Sequence, residues 1–398
     1  MTLRERISSA VCNTWIGQRG ERAGGGVGSQ GLVDLGAGVV AAEFEGAVDT
    51  HEDRLGGGPA LAAVALAVLA QDHRRADLDV VPSSGAVYAM RSPRGNKQTQ
   101  RWSTTVCEID PAEGQIASTV EISGPQDVPS MFNALSTGRD GGVAFAASRL
   151  WGRTVHAFKT DGTALWTRKY KEAVNRVSVA DIDGDGADEI LVGTQEGLFA
   201  EHWNGTTKWH ANFGNISNVS FMPSRGGTAP MIAADLSANL GILSTDGQLI
   251  REVYSYHGFM DLAAREDGSG HWQIIAIDGP ALREIGTNGE HLWSVADKDP
   301  RIRTVQLSSM KLSPDGRWVA VVMKSGLLLV YDAENGMPVA SLTAGSMRYS
   351  AIAWSKSAAG NIPLLIMAAS GGLRCFELRP FDAAHAEPEP AVAAPTTR

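Results

Sequence analysis

The sequence predicts an all-β fold, a β-propeller of about seven four-stranded antiparallel blades, and two observations carry that prediction. A turn glycine followed by a hydrophobic or tryptophan-bearing strand recurs at Gly114, Gly162, Gly205, Gly247, Gly289 and Gly336, at spacings of 48, 43, 42, 42 and 47 residues. A repeat of this size marks propeller blades. Long helical periodicity is scarce, whereas 45 glycines and 10 tryptophans suit many tight turns and aromatic strands. A repeat fold grows by adding units rather than by enlarging one core, so a single domain covers residues 58–378 of the 398-residue chain.

Residues 1–57 are glycine-rich and poor in aromatics, and they read as flexible. Within them Gly36–Phe44 (GAGVVAAEF) alternates weakly and is the candidate for a strand that closes the ring. The start lacks the sustained apolar core of a secretory leader, because Ile7–Ile16 is interrupted by Ser, Cys and Asn. The apolar run Pro59–Ala70 is too short to span a bilayer. Two readings of it stay open: the innermost strand of the first blade with a helical lead-in, or the remnant of an export signal. A less regular unit follows over about 61–122, and further units open near Met131, Asn175, Ser217, Gly258, Thr304 and Tyr349. The last, Tyr349–Leu378, has no obvious fourth strand, and propellers often borrow one from the other terminus. Six or eight blades also remain open, since the N-terminal region is poorly patterned. Residues 379–398 are Pro- and Ala-rich and are expected to be disordered.

One loop carries chemistry. In VADIDGDGADEILVG (Val179–Gly193), Asp181, Asp183 and Asp185 alternate, Gly186 permits a sharp turn, Ala187 offers its backbone carbonyl, and Glu189 follows at the ninth place. Calcium takes six to eight oxygen ligands, and such a loop supplies most of them locally. The twelfth-position glutamate of an EF-hand is absent, because Val192 stands there, and the following residues are strand-forming. The alternative is an acidic turn that caps a strand and holds water. None of the corresponding loops, among them REDGSGH (Arg265–His271) and TGRDGG (Thr137–Gly142), keeps alternating carboxylates. One ion per chain is expected.

This stretch resembles the calcium loop of FG-GAP/VCBS-type repeats, found in integrin α-subunit propellers and many bacterial exported proteins. The TDG-x-x-LW turn at Thr160–Trp166 and its variant TNG-x-x-LW at Thr287–Trp293 are similar to PQQ-type propeller repeats, and SPDGR (Ser313–Arg317) to WD40- and TolB-type blades. The resemblance implies one structural calcium on Asp181, Asp183, Asp185, Ala187 and Glu189, and a non-catalytic interaction or scaffold module. It further implies a protein or carbohydrate partner, a monomer, and a periplasmic or extracellular location, with the cytoplasm left open by the missing leader. The alternative function is a quinoprotein (PQQ-dependent) dehydrogenase. Those enzymes carry an adjacent-cysteine pair, which this chain lacks.

Other classes find little support. A net charge of −9 with pI near 5.5 and no long Lys/Arg block argues against nucleic acid. Cys12, Cys107 and Cys375 are too few for a disulfide framework, and the last two read as small strand hydrophobes. The nine histidines show no zinc spacing, and no nucleophile elbow, P-loop or dinucleotide fingerprint stands in a supporting context. Trp151, Trp203, Tyr254, Tyr256 and Trp272 are candidates for a contact surface, with packing between blades as their other role.

Overall fold

The computed structural model describes residues 61–380, apart from short connecting segments of which 296–306 is the longest. The described residues begin with β1 (Leu61–Val68), followed by an irregular unit of β2 (Ala76–Val80), β3 (Val87–Arg91), β4 (Arg94–Asn96), β5 (Arg101–Asp110) and β6 (Gln115–Gly124). Four-stranded meanders then succeed one another. The first is β7 (Met131–Ser136), β8 (Val143–Ser148), β9 (Thr154–Lys159) and β10 (Ala164–Lys169). The second is β11 (Val174–Ala180), β12 (Glu189–Thr194), β13 (Leu198–Glu201) and β14 (Thr207–Ala211). Next come β15 (Val219–Met222), β16 (Met231–Leu236), β17 (Asn239–Ser244) and β18 (Leu249–Val253), then β19 (Phe259–Glu266), β20 (Trp272–Asp278), β21 (Ala281–Gly286) and β22 (His291–Ser294). The chain finishes with β23 (Leu307–Leu312), β24 (Trp318–Met323), β25 (Leu327–Asp332) and β26 (Pro338–Thr343), and with β27 (Ala351–Lys356), β28 (Pro363–Ala369) and β29 (Gly372–Pro380).

These strands form a β-propeller in which six sheets are four-stranded and antiparallel. The expectation of about seven such blades needs correction: six have that form, and the 76–124 unit is a five-stranded sheet, β2-β3-β5-β4 with β6 on β5. The reason is local. β5 is ten residues long, long enough to carry both β3 and the three-residue β4 along one edge while β6 takes the other. Neighbouring innermost strands β2, β7, β11, β15, β19, β23 and β27 touch in sequence, and β27 returns to β2.

Ring closure differs from the expectation as well. The fourth strand of the last blade is β1, paired antiparallel with β29 from Leu61↔Pro380 to Val68↔Leu373. Gly36–Phe44, the expected closing strand, lies outside the described residues. Leu61–Val68 of the apolar run is therefore the outermost strand of the last blade, because eight consecutive apolar residues offer a strand that matches most of β29 in length. The last strand also extends to Pro380, two residues past the expected boundary. Among the described residues, no helix is long and apolar enough to cross a membrane.

The core lies between blades rather than inside any one of them. Middle strands face a neighbouring sheet on both sides, so β12 (EILVGT) and β24 (WVAVVM) are buried at every position. Ile182, Leu191, Leu198 and Ala200 of one blade, for example, interleave with Ile216, Val219, Ile232 and Leu243 of the next. Each fully buried aliphatic side chain of this kind contributes about 1.5–3 kcal/mol.

A repeated device ties the outer strands together. Trp166, Trp209 and Trp293 each stand four residues after a turn glycine, and each lies over the turn glycine of the following blade. Their indole N–H groups donate to carbonyls in those turns: Trp166 to Trp203 O at 2.7 Å, Trp209 to Thr245 O at 2.7 Å and Trp293 to Ala333 O at 3.2 Å. Where the tryptophan is missing, Arg251 holds its place and donates to Asn288 O at 3.2 Å. Just before each such residue the outer strand bulges, leaving Leu165, Lys208, Ile250, Leu292 and Val339 unpaired in the ladder. A bulge redirects its side chain, and in one blade that side chain is a lysine.

Candidate functional site

The β11–β12 loop is shaped by its own aspartates. Asp181 Oδ1 accepts from Gly184 N at 2.7 Å and Asp185 N at 3.1 Å, and its Oδ2 accepts from Gly186 N at 3.0 Å. Gly184 and Gly186 hold φ of 77° and 91°, a left-handed conformation that glycine adopts at no steric cost. Glu189, buried as the first residue of β12, accepts from Ile182 N at 3.0 Å through Oε2.

Of the five expected ligands, the structure brings three together. One carboxylate oxygen each from Asp181, Asp183 and Glu189 lies within 4.8 Å of the others, and among the described residues this is the one acidic, histidine or cysteine group so arranged. Three hard oxygen donors suit a hard divalent cation. Asp185 is turned instead to its own backbone, accepting from Ala187 N at 2.7 Å, and Ala187 is buried. Asp188 serves the neighbouring blade: its Oδ2 accepts from Ser136 N at 2.6 Å while its N–H donates to Ser136 O at 2.9 Å. Burial raises the Asp188 pKa against the opposing pull of that Ser136 hydrogen bond.

Two side chains absent from the expected set complete the cluster. Lys208, the bulge residue of β14, donates to Asp183 Oδ2 and lies 3.6 Å from Glu189 Oε1. His202 Nδ1 is 3.3 Å from the same Glu189 oxygen. Hydrogen bonding to Lys208 holds the Asp183 carboxyl below its usual range. Burial disfavours the charged lysine, but the Asp183 hydrogen bond and the Glu189 and Asp183 charges outweigh it and raise its pKa. Glu189 is raised, chiefly by burial, despite the Ile182 hydrogen bond and Lys208. A readable signal for Lys208 existed in the sequence: at the third residue after the turn glycine, other blades carry Leu165, Ile250, Leu292 and Val339.

The loop also stands at the rim of a central channel. A cavity of about 660 Å³ is walled by six innermost strands, from Asp79 of β2 and Asn133 of β7 to Arg176 of β11, Ser220 of β15, Asp261 of β19 and Lys311 of β23. Ala180 and Asp188, on either side of the acidic loop, belong to the same wall. Some of this polar lining is structural. Asp261 accepts from Met310 N at 2.9 Å, and Arg265 pairs with the buried Glu284. Arg176 and Lys311 are half-buried there, and neither forms an ion pair among the described residues.

The expected contact aromatics divide. Trp151, Tyr254 and Trp203 are exposed by 74%, 65% and 37%, whereas Trp272 is buried in a layer between blades, and Tyr256 lies outside the described residues. Cys107 is buried, as expected.

Two family models match parts of the chain: the λ-carrageenase β-propeller domain over residues 147–268, and the WD40 domain of anaphase-promoting complex subunit 4 over residues 280–357. The chain folds as a β-propeller. Each match spans less than half of it, and both concern the blade architecture, so the finer likeness to FG-GAP-type repeats rests on the β11–β12 loop alone. No curated protein matches. Among solved structures the chain is similar to BBS1N, crystallised in complex with ARL6DN and soaked with lead, at 13% identity and a TM-score of 0.56. The alignment covers 81% of this chain and 97% of that one, and at such identity it shows the fold alone.

Proposed function

We propose that this protein is a non-catalytic β-propeller that binds a protein or carbohydrate partner, with one calcium ion held at the β11–β12 loop as structural support. The observation that carries the reading is the channel wall, where Arg176 and Lys311 stand half-buried with no ion-pair partner among the described residues, while Asp79, Asn133, Ser220 and Asp261 are held by the propeller's own hydrogen bonds. Ligands of propellers are chosen by loops and channel ends rather than by the blades. The λ-carrageenase likeness makes an anionic polysaccharide one carbohydrate to include. An extracytoplasmic location belongs to the same proposal, since calcium is abundant there.

Immobilised protein should retain its partner from a panel of glycans, λ-carrageenan among them, and of candidate proteins. Arg176→Glu combined with Lys311→Glu should lower that retention at least ten-fold while the melting temperature stays within a few degrees. Unchanged retention by the double variant would move the contact away from the channel and overturn this reading.

The calcium reading has its own test. Excess calcium is expected to raise the melting temperature of the unmodified protein by several degrees, because an ion bound only by the folded state stabilises it by mass action. Asp183→Ala, which removes one of the three clustered carboxylates, should abolish that rise. No response in either protein would leave the loop as an acidic turn.

A further inference from the structure

The same loop, given the calcium reading above, contains a cation of its own. We infer that Lys208 is a tethered counter-ion that competes with a divalent cation for Asp183 and Glu189, so that the loop has two charge-balanced forms, one closed by the lysine and one by the metal.

Three observations lead there. Lys208 engages two of the three carboxylates whose oxygens lie within 4.8 Å of one another, by a hydrogen bond to Asp183 Oδ2 and at 3.6 Å from Glu189 Oε1. It does so from a bulge that recurs in the outer strand of every regular blade with a resolved fourth-strand ladder after a turn glycine, where Leu165, Ile250, Leu292 and Val339 are aliphatic. The substitution by a lysine coincides with the blade whose loop carries alternating aspartates. The lysine side chain is also 21% exposed, which leaves its flexible four-carbon stem a route to solvent.

The competition follows from charge. A divalent ion seated among Asp181, Asp183 and Glu189 would lie a few ångströms from the ammonium, and the two cations repel with little water between them. Binding of the metal therefore requires the lysine to leave. His202, whose Nδ1 is 3.3 Å from Glu189 Oε1, shares that oxygen and would remain beside either cation. Without metal, the lysine prevents three clustered carboxylates from repelling one another and keeps the loop closed.

The test is a calorimetric calcium titration of the full chain, made on the unmodified protein and on Lys208→Leu, Lys208→Arg and Asp183→Ala, with each melting temperature also measured in chelator. Lys208→Leu installs the residue that other blades carry at this bulge, so folding should survive. It is expected to bind calcium at least ten-fold more tightly than the unmodified protein, and to melt at a lower temperature in chelator with the gap closing at saturating calcium. Lys208→Arg should retain the weaker affinity. Calcium binding by Lys208→Leu but not by the unmodified protein would uphold the competition and defeat the resident-calcium reading. Equal affinities would overturn the competition and leave calcium in place. Binding by neither would overturn both. Should Lys208→Leu fail to fold, Lys208→Gln carries the same comparison.

Discussion

Glu284→Ala is expected to lower the free energy of unfolding by about 3–5 kcal/mol, because it strands a buried guanidinium. Arg265 is 7% exposed and its partner Glu284 2% exposed, and the two are joined by a charge-assisted hydrogen bond. Burial drives the Glu284 pKa up, while Arg265 chiefly, and a hydrogen bond from Trp293 after it, pull against it. Urea unfolding is the measurement. Arg265→Met combined with Glu284→Met should return most of the loss, since a buried pair replaced as a unit by apolar side chains is often neutral. A loss below 1 kcal/mol in the single variant would show that water reaches the pair.

Gly247→Ala is expected to cost about 2–5 kcal/mol, and Gly289→Ala about 1–2 kcal/mol, although both replace the same turn residue in successive blades. The shared part is conformational: φ is +82° at Gly247 and +88° at Gly289, which an L-residue adopts only with strain. The difference is steric. A Cβ at Gly247 would meet Trp209 Cε3 at 2.8 Å, while at Gly289 it would meet Val253 at an ordinary 3.4 Å. Thermal unfolding of the two variants side by side separates the packing of the indole from the backbone term. Equal losses would mean that the tryptophan shifts freely, and that the contact between outer strands contributes little rigidity.

The regular blades were legible because their signals are local. The turn glycines, the tryptophan four residues later and the short apolar strands lie within one repeat, and the opening at Met131 coincides with the first residue of β7. The acidic loop was legible for the same reason, since Asp181, Asp183 and Glu189 fall within nine residues of chain. Spacing alone does not say which aspartate turns toward its own loop, and the structure shows Asp185 accepting from Ala187 N rather than joining the three clustered carboxylates. Lys208 stands out in the sequence as a lysine at a repeat position that is aliphatic elsewhere, but its partners were hidden by register. Its closeness to the aspartates depends on a bulge that places it out of the ladder of β14, and a bulge is a property of strand pairing. The pairing of β1 with β29 was hidden by distance, because an apolar run of eight residues reads alike as a strand, a short helix or a leader until its partner is known.

That pairing sets a delay in the life of the chain. Val68, which ends β1, and its partner Leu373 are separated by roughly 300 residues, so at about 5–20 residues per second a ribosome needs on the order of 15–60 s to supply the second strand after the first. Throughout that interval an apolar strand has no edge to lie against, and an unpaired apolar strand is the feature most open to association with other chains. The blades between can pack against one another as they emerge, because each buries its apolar face on its neighbour. The first of the described strands to be made is thus among the last to find its place, and the newborn chain carries it exposed until β29 follows.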